Sequence, residues 1–344
     1  PALVVEDEAT FFRSLARSSG RTVPSAPAAL AEASDAYVYF PGPEQFPRLL
    51  GLSTEELEAV VGRHGPGWWR AARRAGLRAA RVAVAAATPR AAIRYGVDPA
   101  AWQRDVLRAS LVPPERLTRA AEPIVRRLSR ARHVRIRHPN GTDLTVGLQP
   151  HAWLVEDGRI DRADRAVGRL WTSVPTGRVA FALSEGLAEG IWESNRPVYD
   201  RYRDPPVTEG ARFTIARGHV REYAFERGGA AFASAYARGG RGREVPSALT
   251  FGINPAVVRG PELDELAAGT VGLLLGDNRA AGGRHRSRFS YLTTLSGADV
   301  EVDGRSWWLG GRPVGSPARF TTPTGGTSRR QRGRIPPSVR AARP

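Results

Sequence analysis

The chain contains no cysteine, no methionine and no lysine among its 344 residues. Without cysteine it can form no disulfide and can hold no metal through thiolates. No apolar run approaches the length of about 20 residues that a helix needs to cross a bilayer, so we expect no membrane association. The acidic residues Glu6, Asp7 and Glu8 stand where a secretory signal would carry basic ones. We therefore expect a cytoplasmic protein.

Arginine is the residue in excess, and it supplies all the side chains that make the formal net charge +17. Nine arginines and no acid lie between Gly304 and Pro344, and removing those nine leaves +8 on the rest of the chain. Beyond Phe320 almost nothing apolar is available to bury, so we expect a disordered tail. Arginines are commonly solvated at surfaces, and we do not expect nucleic acid to bind through this tail. An interaction protein whose tail holds RNA or another acidic surface is an open alternative.

Strand and helix signals alternate in the first part of the chain. Tyr37–Phe40 and Arg81–Ala85 are typical of short buried strands. Thr88 with Pro89, and Asp98 with Pro99, are typical of capped helix starts. Leu117, Ile124 and Leu128 then predict an amphipathic helix. This order favours an α/β domain, and because no glycine-rich phosphate loop follows either strand, we expect no nucleotide.

The second part is rich in β-strand signals. Two hairpins are predicted: one turns at Pro139-Asn140-Gly141, and the other turns at Arg217-Gly218. Further strands are predicted at Val179–Leu183 and Gly190–Trp192, and a helix at Ala230–Ala237. The fold class is therefore an α/β N-terminal domain, 1–132, followed by a β-rich α+β domain, 133–318, and the tail, 319–344.

Seven short motifs follow one another between residues 141 and 304. They are Gly141-Thr142-Asp143-Leu144, Pro175-Thr176-Gly177-Arg178, Asn254-Pro255, Asp264-Glu265, Gly269-Thr270, Gly282-Gly283 and Val302-Asp303-Gly304. No one of them is specific, but in this order and spacing they make the chain resemble the metal-dependent aminopeptidases of the aminopeptidase T type. The resemblance covers roughly residues 65 to 310.

The resemblance implies a fold, an activity and an assembly. It implies the aminopeptidase T-type fold, and peptide hydrolysis with two divalent ions held by glutamates, histidines, an aspartate and a tyrosine. Such ligands suit hard or borderline cations and a bridging water. It also implies a homodimer whose active sites face an enclosed space.

The positions that correspond to those ligands carry other residues in this chain. They are Arg178 and Ala248 for two glutamates, Gly272 for a histidine, Ser290 and Leu292 for a histidine and an aspartate, and Arg279 in the tyrosine loop. A ligand set without a carboxylate or an aligned imidazole cannot hold Zn²⁺, Co²⁺ or Mn²⁺. We therefore expect no metal and no other cofactor.

Three functions are compatible with this pattern. The leading interpretation is an aminopeptidase-like protein that has lost the di-metal site and binds a peptide, an amino acid or another small carboxylate ligand. The second is an enzyme with different, metal-free chemistry on the same scaffold, for example in a biosynthetic pathway, since one fold hosts unrelated functions. The third is retained leucyl aminopeptidase activity.

The leading interpretation predicts an anion-binding pocket where the metals would have been. A guanidinium keeps its charge at any accessible pH and matches a carboxylate with its planar fork. We expect Arg178 and Arg279 to lie close enough to share one small ligand. The alternative is that both arginines lie on the surface of an inactive site. The predicted ligand-binding residues are Arg178, Arg279, His285, Ser290 and Tyr291.

Overall fold

The structure is a computed structural model and describes residues 31–40, 70–166, 168–200 and 206–314. These residues form two compact units. The first contains the described residues through Pro114, with Glu156–Thr176 and Tyr199–Pro206, and the second contains Glu115–Val155, Gly177–Val198 and the described residues from Val207 onward. The chain thus passes between the units several times, whereas the sequence placed one boundary after residue 132. The predicted tail, 319–344, lies outside the described residues.

The bounds of the elements are as follows. The strands are β1 (Ala36–Tyr39), β2 (Arg78–Val82), β3 (His133–His138), β4 (Thr142–Glu156), β5 (Trp171–Val174), β6 (Arg178–Glu193), β7 (Val198–Tyr199), β8 (Val207–Thr208), β9 (Arg212–Ala216), β10 (His219–Ala224), β11 (Pro246–Gly252), β12 (Thr270–Gly276), β13 (Ser290–Ser296), β14 (Asp299–Val302), β15 (Arg305–Leu309) and β16 (Arg312–Pro313). The α-helices with both ends among the described residues are α1 (Pro89–Tyr95), α2 (Pro99–Ser110), α3 (Pro114–Leu128), α4 (Arg162–Ala166) and α5 (Gly229–Arg238), and 3₁₀ helices span Ala83–Ala86 and Arg279–Ala281.

The first unit contains a three-stranded parallel sheet in the order β1-β2-β5. Strand β1 is less buried than its apolar sequence predicted, since Val38 and Phe40, the residue after the strand, are more than half exposed. It has a single strand neighbour in this sheet, so less of its surface is covered. Strand β2 ends at Val82, and the alanines that follow turn into a 3₁₀ helix instead of extending the strand to Ala85. Alanine favours helical over extended backbone, which the apolar pattern alone did not show.

The predicted helix starts of the first unit are confirmed in atomic detail. The Thr88 hydroxyl accepts a hydrogen bond from the Ala91 amide at 3.2 Å, and the Asp98 carboxylate accepts one from the Ala101 amide at 2.7 Å. Each cap is followed by a proline in the first turn, where no amide hydrogen is needed. Among the described residues, no helix has the length and apolarity to span a membrane.

The second unit is built on an eleven-stranded sheet. Its hydrogen-bonded order is β13-β12-β11-β6-β4-β3-β14-β15-β16, with β9 also paired to β6 and β10 paired to β9. Both predicted hairpins are present, as β3–β4 and β9–β10. The strands predicted at Val179–Leu183 and Gly190–Trp192 are two parts of the single 16-residue strand β6. With the helices, this sheet gives the chain a sheet-rich α+β architecture.

The central strands β11 and β12 are buried at every residue. Because side chains alternate along a strand, each strand must supply apolar groups to both faces of the sheet. On one face Phe251 packs edge-on against Phe181, with ring centroids 6.3 Å apart, and also against Trp308. The other face carries small and aliphatic side chains. These two strands therefore form the core that positions the candidate site.

Helix α5 is held on the second unit by aromatic rings. Phe232, 1% exposed, lies at the centre of this aromatic cluster. The rings around it are Phe213, Tyr223, Phe225, Tyr236, Phe289 and Tyr291, with centroids 4.5 to 5.8 Å away. Phe289 precedes β13 and Tyr291 lies in it, so the cluster fixes α5 to the end of the loop between β12 and β13, which contains Gly282 and Gly283 and is called the glycine-rich loop below.

Candidate functional site

Sheet register brings three of the expected metal-ligand positions onto adjacent strands. Ala248 of β11 pairs with β6, Gly272 of β12 pairs with Thr250 of β11, and Leu292 of β13 pairs with Leu274 of β12. The residues that the aminopeptidase T resemblance aligns with ligands are therefore neighbours in space. This region of β11, β12 and β13 is the candidate site.

The side chains in this region form an aliphatic cluster. Its buried members are Leu154, Ala180, Ala248, Leu274 and Ala281, and Leu292 packs against them. Two of the positions that correspond to carboxylate ligands, Ala248 and Leu292, thus contribute methyl groups to a packed core. Apolar side chains give no lone pair to a cation, and burying them stabilises the fold by about 25 cal/mol per Å².

Gly272, which the resemblance aligns with a histidine, has no space beside it for any side chain. A Cβ added to Gly272 would lie 2.2 Å from the Thr250 hydroxyl oxygen and 3.0 Å from a methyl carbon of Leu292. The Thr250 side chain occupies that space, and its hydroxyl is buried without a hydrogen-bond partner. A histidine at residue 272 therefore does not fit this backbone unless Thr250 moves.

Arg178, at the start of β6, is bound to the acidic turn after β11. Its Nη1 donates to the Glu265 carboxylate at 2.7 Å, and its side chain is 16% exposed. Gly177 lets the two segments come this close, since a Cβ there would lie 2.7 Å from that of Asn254. The position that the resemblance aligns with the first metal-binding glutamate thus carries an arginine that is part of an internal ion pair.

Asp264, next to Glu265, is a buried carboxyl group. Its side chain accepts one hydrogen bond, from the Gly260 amide at 3.3 Å. Burial raises the pKa of Asp264 to about 6, although the charges of Arg196 and Arg259 act in the opposite direction. The sequence singled out Asp264 as part of a motif but did not show that it is buried.

Arg279 also has an acidic partner. Its Nε donates to the Asp277 carboxylate at 2.8 Å, and its Nη2 lies 2.7 Å from the same group. This contact raises the pKa of Arg279 above its ordinary value. The Arg279 side chain is 58% exposed, so the guanidinium faces solvent while Asp277 fixes its orientation.

Arg178 and Arg279 each pair with an acid of their own, Arg178 with Glu265 and Arg279 with Asp277. Arg178 pairs with Gly252 at one end of β11, and Leu275, four residues before Arg279, pairs with Pro246 at the other end. That the two guanidinium groups share one small ligand stays a prediction.

His285 is held by contacts on both ring nitrogens. Its Nδ1 lies 2.9 Å from the Glu185 carboxylate, and its Nε2 lies 2.9 Å from the Gly242 carbonyl oxygen. Neither nitrogen contacts Ser290, whose hydroxyl donates weakly to the Asp277 carbonyl at 3.4 Å. The structure therefore forms no serine–histidine pair from these two residues.

The remaining predicted residue, Tyr291, is part of the aromatic cluster. It is 6% exposed, and its hydroxyl is hydrogen-bonded to the Thr208 hydroxyl. Four of the five predicted residues, all except Arg178, thus lie in or beside the loop between β12 and β13. Ser290 and Arg279 are the exposed members of this group.

Sequence reasoning missed the residue that organises this loop. Asn278 is 2% exposed; its Nδ2 donates to the Ser247 carbonyl at 2.7 Å, and its Oδ1 accepts from the His285 amide at 2.8 Å. Together with Asp277 it fixes the loop backbone. Aspartate and asparagine between an apolar strand and a glycine pair are typical turn residues, and this was the available signal.

The described residues contain no group of three or more histidine, aspartate and glutamate side chains arranged to hold a metal ion. At Gly272 the polar atom nearest to an added Cβ is the Thr250 hydroxyl oxygen. The region combines an aliphatic core with a loop whose exposed groups are mainly arginines.

This sheet-rich α+β arrangement is that of an aminopeptidase-like fold. The chain is similar to AmpT, aminopeptidase T, from Thermus thermophilus: the TM-score is 0.58 at 20% identity, over 88% of this chain and 85% of that one. It is also similar to 2,5-dihydroxypyridine dioxygenase from Pseudomonas putida KT2440, with a TM-score of 0.54 at 18% identity, over 85% of this chain and 75% of that one. No family model matches the chain, and no curated protein matches it. At these identities the likeness establishes the fold.

Proposed function

We propose that this chain is a metal-independent, ligand-binding protein on an aminopeptidase-like fold, and that its ligand is a small molecule or peptide with a carboxylate. The observation that carries the proposal is the aliphatic cluster around Ala248, Leu274 and Leu292. It occupies the face of the sheet on which the resemblance places metal ligands. An aminopeptidase of that type needs carboxylates and imidazoles there to hold the ions that activate water.

In this region, none of the positions that the resemblance aligns with metal ligands carries a side chain suited to a di-metal centre. Ala248 and Leu292 offer no donor atom, and the space beside Gly272 is taken by the Thr250 hydroxyl. Arg178 carries a positive charge, and that charge is bound to Glu265 at 2.7 Å. A cation placed among these groups would meet methyl groups and a like charge, which raises its free energy.

The loop around Arg279 supports the carboxylate half of the proposal. Asp277 uses Nε and Nη2 of Arg279, which leaves Nη1 as a donor on a side chain that is 58% exposed. Ser290, also exposed, has a hydroxyl 3.4 Å from the Asp277 carbonyl oxygen, a weak contact that a ligand can replace. A ligand carboxylate would accept hydrogen bonds from Arg279 Nη1 and from this hydroxyl without displacing the Asp277 carboxylate.

Metal analysis tests the first half of the proposal. The purified full-length chain, incubated with zinc or cobalt and then desalted, should retain no stoichiometric metal, and hydrolysis of aminoacyl anilides should stay at background. About one ion per chain or more, together with activity that a chelator abolishes, would contradict the proposal and favour a retained aminopeptidase.

Thermal shift with matched ligands tests the second half. Leucine and a leucyl dipeptide should raise the melting temperature, whereas the corresponding amides should not, because only the acids carry the carboxylate. The effect should be lost in Arg279→Ala and kept in Arg312→Ala, which removes an exposed arginine on β16. Equal stabilisation by acids and amides would exclude a carboxylate site at Arg279.

A further inference from the structure

A surface cavity of about 470 Å³ is formed by the end of α5 and the glycine-rich loop. The cavity is lined by Gly239, Gly240, Arg241, Arg286, Ser287 and Arg288. Three of these residues are arginines, and all three are exposed. We call it the arginine cavity. It lies within the second unit, and neither Arg279 nor Ser290 of the proposed carboxylate site lines it.

Two glycines allow the walls of the arginine cavity to approach each other. A Cβ added to Gly239 would lie 2.6 Å from the Cβ of Phe289, and one added to Gly242 would lie 2.6 Å from Nε2 of His285. Both distances are too short for a van der Waals contact. A larger residue at either position would therefore push the turn after α5 away from the glycine-rich loop.

Hydrogen bonds and packing hold the two walls together. His285 Nε2 lies 2.9 Å from the Gly242 carbonyl oxygen, and the Ser287 hydroxyl donates to the Gly239 carbonyl at 3.3 Å. Phe289, 3% exposed, packs in the aromatic cluster. The arginines of the loop alternate with these anchored residues. They therefore extend from a backbone that is already ordered, which lowers the entropy that binding costs.

The carbonyl oxygens at the end of α5 are hydrogen-bonded within the fold. Nη1 of Arg243 donates to the Ala237 carbonyl at 3.1 Å and to the Gly240 carbonyl at 3.4 Å. The Ser287 hydroxyl takes the Gly239 carbonyl. Carbonyl groups of this kind carry the partial negative charge at the C-terminal end of a helix. Because donors of the protein already contact them, they repel an anion in the arginine cavity less.

The acids near the arginine cavity offset part of its charge. Asp277 is paired with Arg279, and Glu185 is paired with His285. Glu244, three residues after Arg241, forms no ion pair within the described part of the chain. It is the acid whose charge has to be counted against the arginines of the cavity.

Glu244 is half-buried and does not line the arginine cavity. Burial raises the pKa of Tyr236 to about 12, and the charge of Glu244 adds to this rise, so Glu244 acts on the aromatic side of the turn. Among the described residues, Arg241, Arg286 and Arg288 form no ion pair either. With Glu244 counted against them, these arginines leave an excess of two positive charges at the cavity.

The charge and size of the arginine cavity favour a phosphate monoester over a carboxylate. A phosphate monoester carries about −1.5 to −2 at pH 7, which balances the excess, whereas a carboxylate carries a single charge. Guanidinium groups match phosphate oxygens with their planar forks. A volume of about 470 Å³ is within the range of small-molecule pockets and leaves room for an organic part beside the phosphate. Since no lining residue has an apolar side chain, that organic part is polar.

We propose that the arginine cavity binds a small phosphate monoester with a polar, polyol-like organic part. Arg286 and Arg288 are two residues apart, so their Cα atoms lie no more than about 7 Å from each other. Both side chains line the same cavity, where they can hold one phosphate, and Arg241 completes the set from the turn after α5. An added Cβ on Gly240 would meet no atom within 4 Å outside its chain neighbours, so there is room for the organic part there.

This proposal does not rest on the proposed carboxylate function. The phosphate is assigned to Arg241, Arg286 and Arg288, and the carboxylate to Arg279 and Ser290. Leucine should consequently not compete with a phosphate monoester. Either site can be absent without affecting the assignment of the other.

Isothermal titration calorimetry of the full chain with glycerol 3-phosphate at low salt tests the proposal. Wild type should bind the ester, and glycerol should give no binding. Arg286→Ala should weaken binding about tenfold or more, the effect of losing a charge-assisted hydrogen bond. Arg286→Lys should recover only part of the loss, because lysine keeps the charge but lacks the planar fork. The matched control is Arg284→Ala, which removes an exposed arginine of the same loop that does not line the cavity, and should change the affinity by less than about twofold.

Glu244 gives a readout of opposite sign. Glu244→Gln removes the negative charge beside the arginine cavity and should tighten the binding of glycerol 3-phosphate about two- to threefold. Inorganic phosphate should bind more weakly than the ester, because it lacks the organic part that occupies the rest of the cavity.

Several outcomes would overturn the proposal. No binding of glycerol 3-phosphate at low salt would exclude the site, and an equal loss of affinity in Arg284→Ala and Arg286→Ala would show only a diffuse positive potential. Inorganic phosphate binding as tightly as the ester would exclude the monoester assignment. Unchanged or weaker binding in Glu244→Gln would place the anion away from this turn, and competition by leucine would mean that the two sites are one.

Discussion

Arg178 Nη1 and Glu265 Oε2 form an ion pair of 2.7 Å that joins the start of β6 to the turn after β11. The pair joins Arg178, which the resemblance aligns with a metal-binding glutamate, to a carboxylate 87 residues away. Because Arg178 is mostly buried, its charge requires a nearby carboxylate, and Glu265 supplies it. The Arg178 guanidinium is therefore engaged by Glu265 within the fold.

Removing Glu265 should cost stability. In Glu265→Gln the free energy of unfolding should fall by about 1–2 kcal/mol, since the mostly buried Arg178 keeps its charge and loses the Glu265 carboxylate. A double-mutant cycle with Arg178→Gln should give a coupling of about 0.5 kcal/mol or more. The more exposed pair of Arg227 with Glu209 serves as the control, and Glu209→Gln should change the unfolding free energy by less than about 0.5 kcal/mol. Equal effects at the two glutamates would show that the Arg178 pair has no special role.

Thr250 and Thr293 are both almost fully buried, but only Thr293 is hydrogen-bonded. The Trp192 indole donates to the Thr293 hydroxyl at 2.9 Å, whereas the Thr250 hydroxyl has no partner. Thr250→Val should therefore raise the free energy of unfolding by about 1 kcal/mol, and Thr293→Val should lower it by about 1–3 kcal/mol. Urea denaturation of both variants measures the difference. A loss of stability in Thr250→Val would mean that the hydroxyl has a partner after all, such as a buried water.

Asp264 should make stability depend on pH in a defined direction. Its pKa in the folded protein is about 6, against an ordinary value of 3.8, so between those values the folded state holds a proton that the unfolded chain has released. The stabilisation from this group is thus complete below about pH 4 and is lost as the pH rises through 6, by roughly 3 kcal/mol in total. Relative to wild type, Asp264→Asn should become more stable as the pH rises from 4 to 7. If the curves of unfolding free energy against pH were parallel for wild type and Asp264→Asn, the raised pKa of Asp264 would be contradicted.

Asn278 should be the most sensitive position of the glycine-rich loop. Asn278→Ala leaves the Ser247 carbonyl and the His285 amide without partners, and should lower the free energy of unfolding by about 2–3 kcal/mol. Asn195, whose amide also makes two backbone hydrogen bonds, both to Ser296, is the matched control at an exposed site. Asn195→Ala should cost less than about 1 kcal/mol, because water can replace its contacts. Similar losses at the two asparagines would argue against a special role for the loop anchor.

The parts of the fold that the sequence predicted well are those set by neighbouring residues. The Thr88 and Asp98 caps act over three residues, and the turns at Asn140-Gly141 and Arg217-Gly218 join adjacent strands. Strand β6 is one strand where the sequence predicted two, and Gly186 and Gly190 lie within it. Both have positive φ, yet the strand continues through them because β11 pairs with its first half and β9 with its second.

The candidate site was less predictable because its contacts are distant in sequence. Glu265 and Arg178 are 87 residues apart, and Glu185 and His285 are 100 apart, so no local pattern connects either pair. The contact of Arg279 with Asp277, two residues away, was within reach of the sequence. The positions that the resemblance aligns with metal ligands came from the sequence motifs, but only the packing showed that methyl groups and the Thr250 hydroxyl fill the space between Ala248, Gly272 and Leu292.

The pairing of β3 with β14 has a consequence for how the second unit folds. Val134 is hydrogen-bonded in register with Val302, so one edge of β3 finds its partner only after most of the intervening chain has been made. Contacts of such long sequence separation form slowly, because a large loop must close before they stabilise anything. Until β14 arrives, that edge of β3 is open to pairing with other chains. We therefore expect refolding to be slow and concentration-sensitive, and chains that end before Asp299 to aggregate during synthesis.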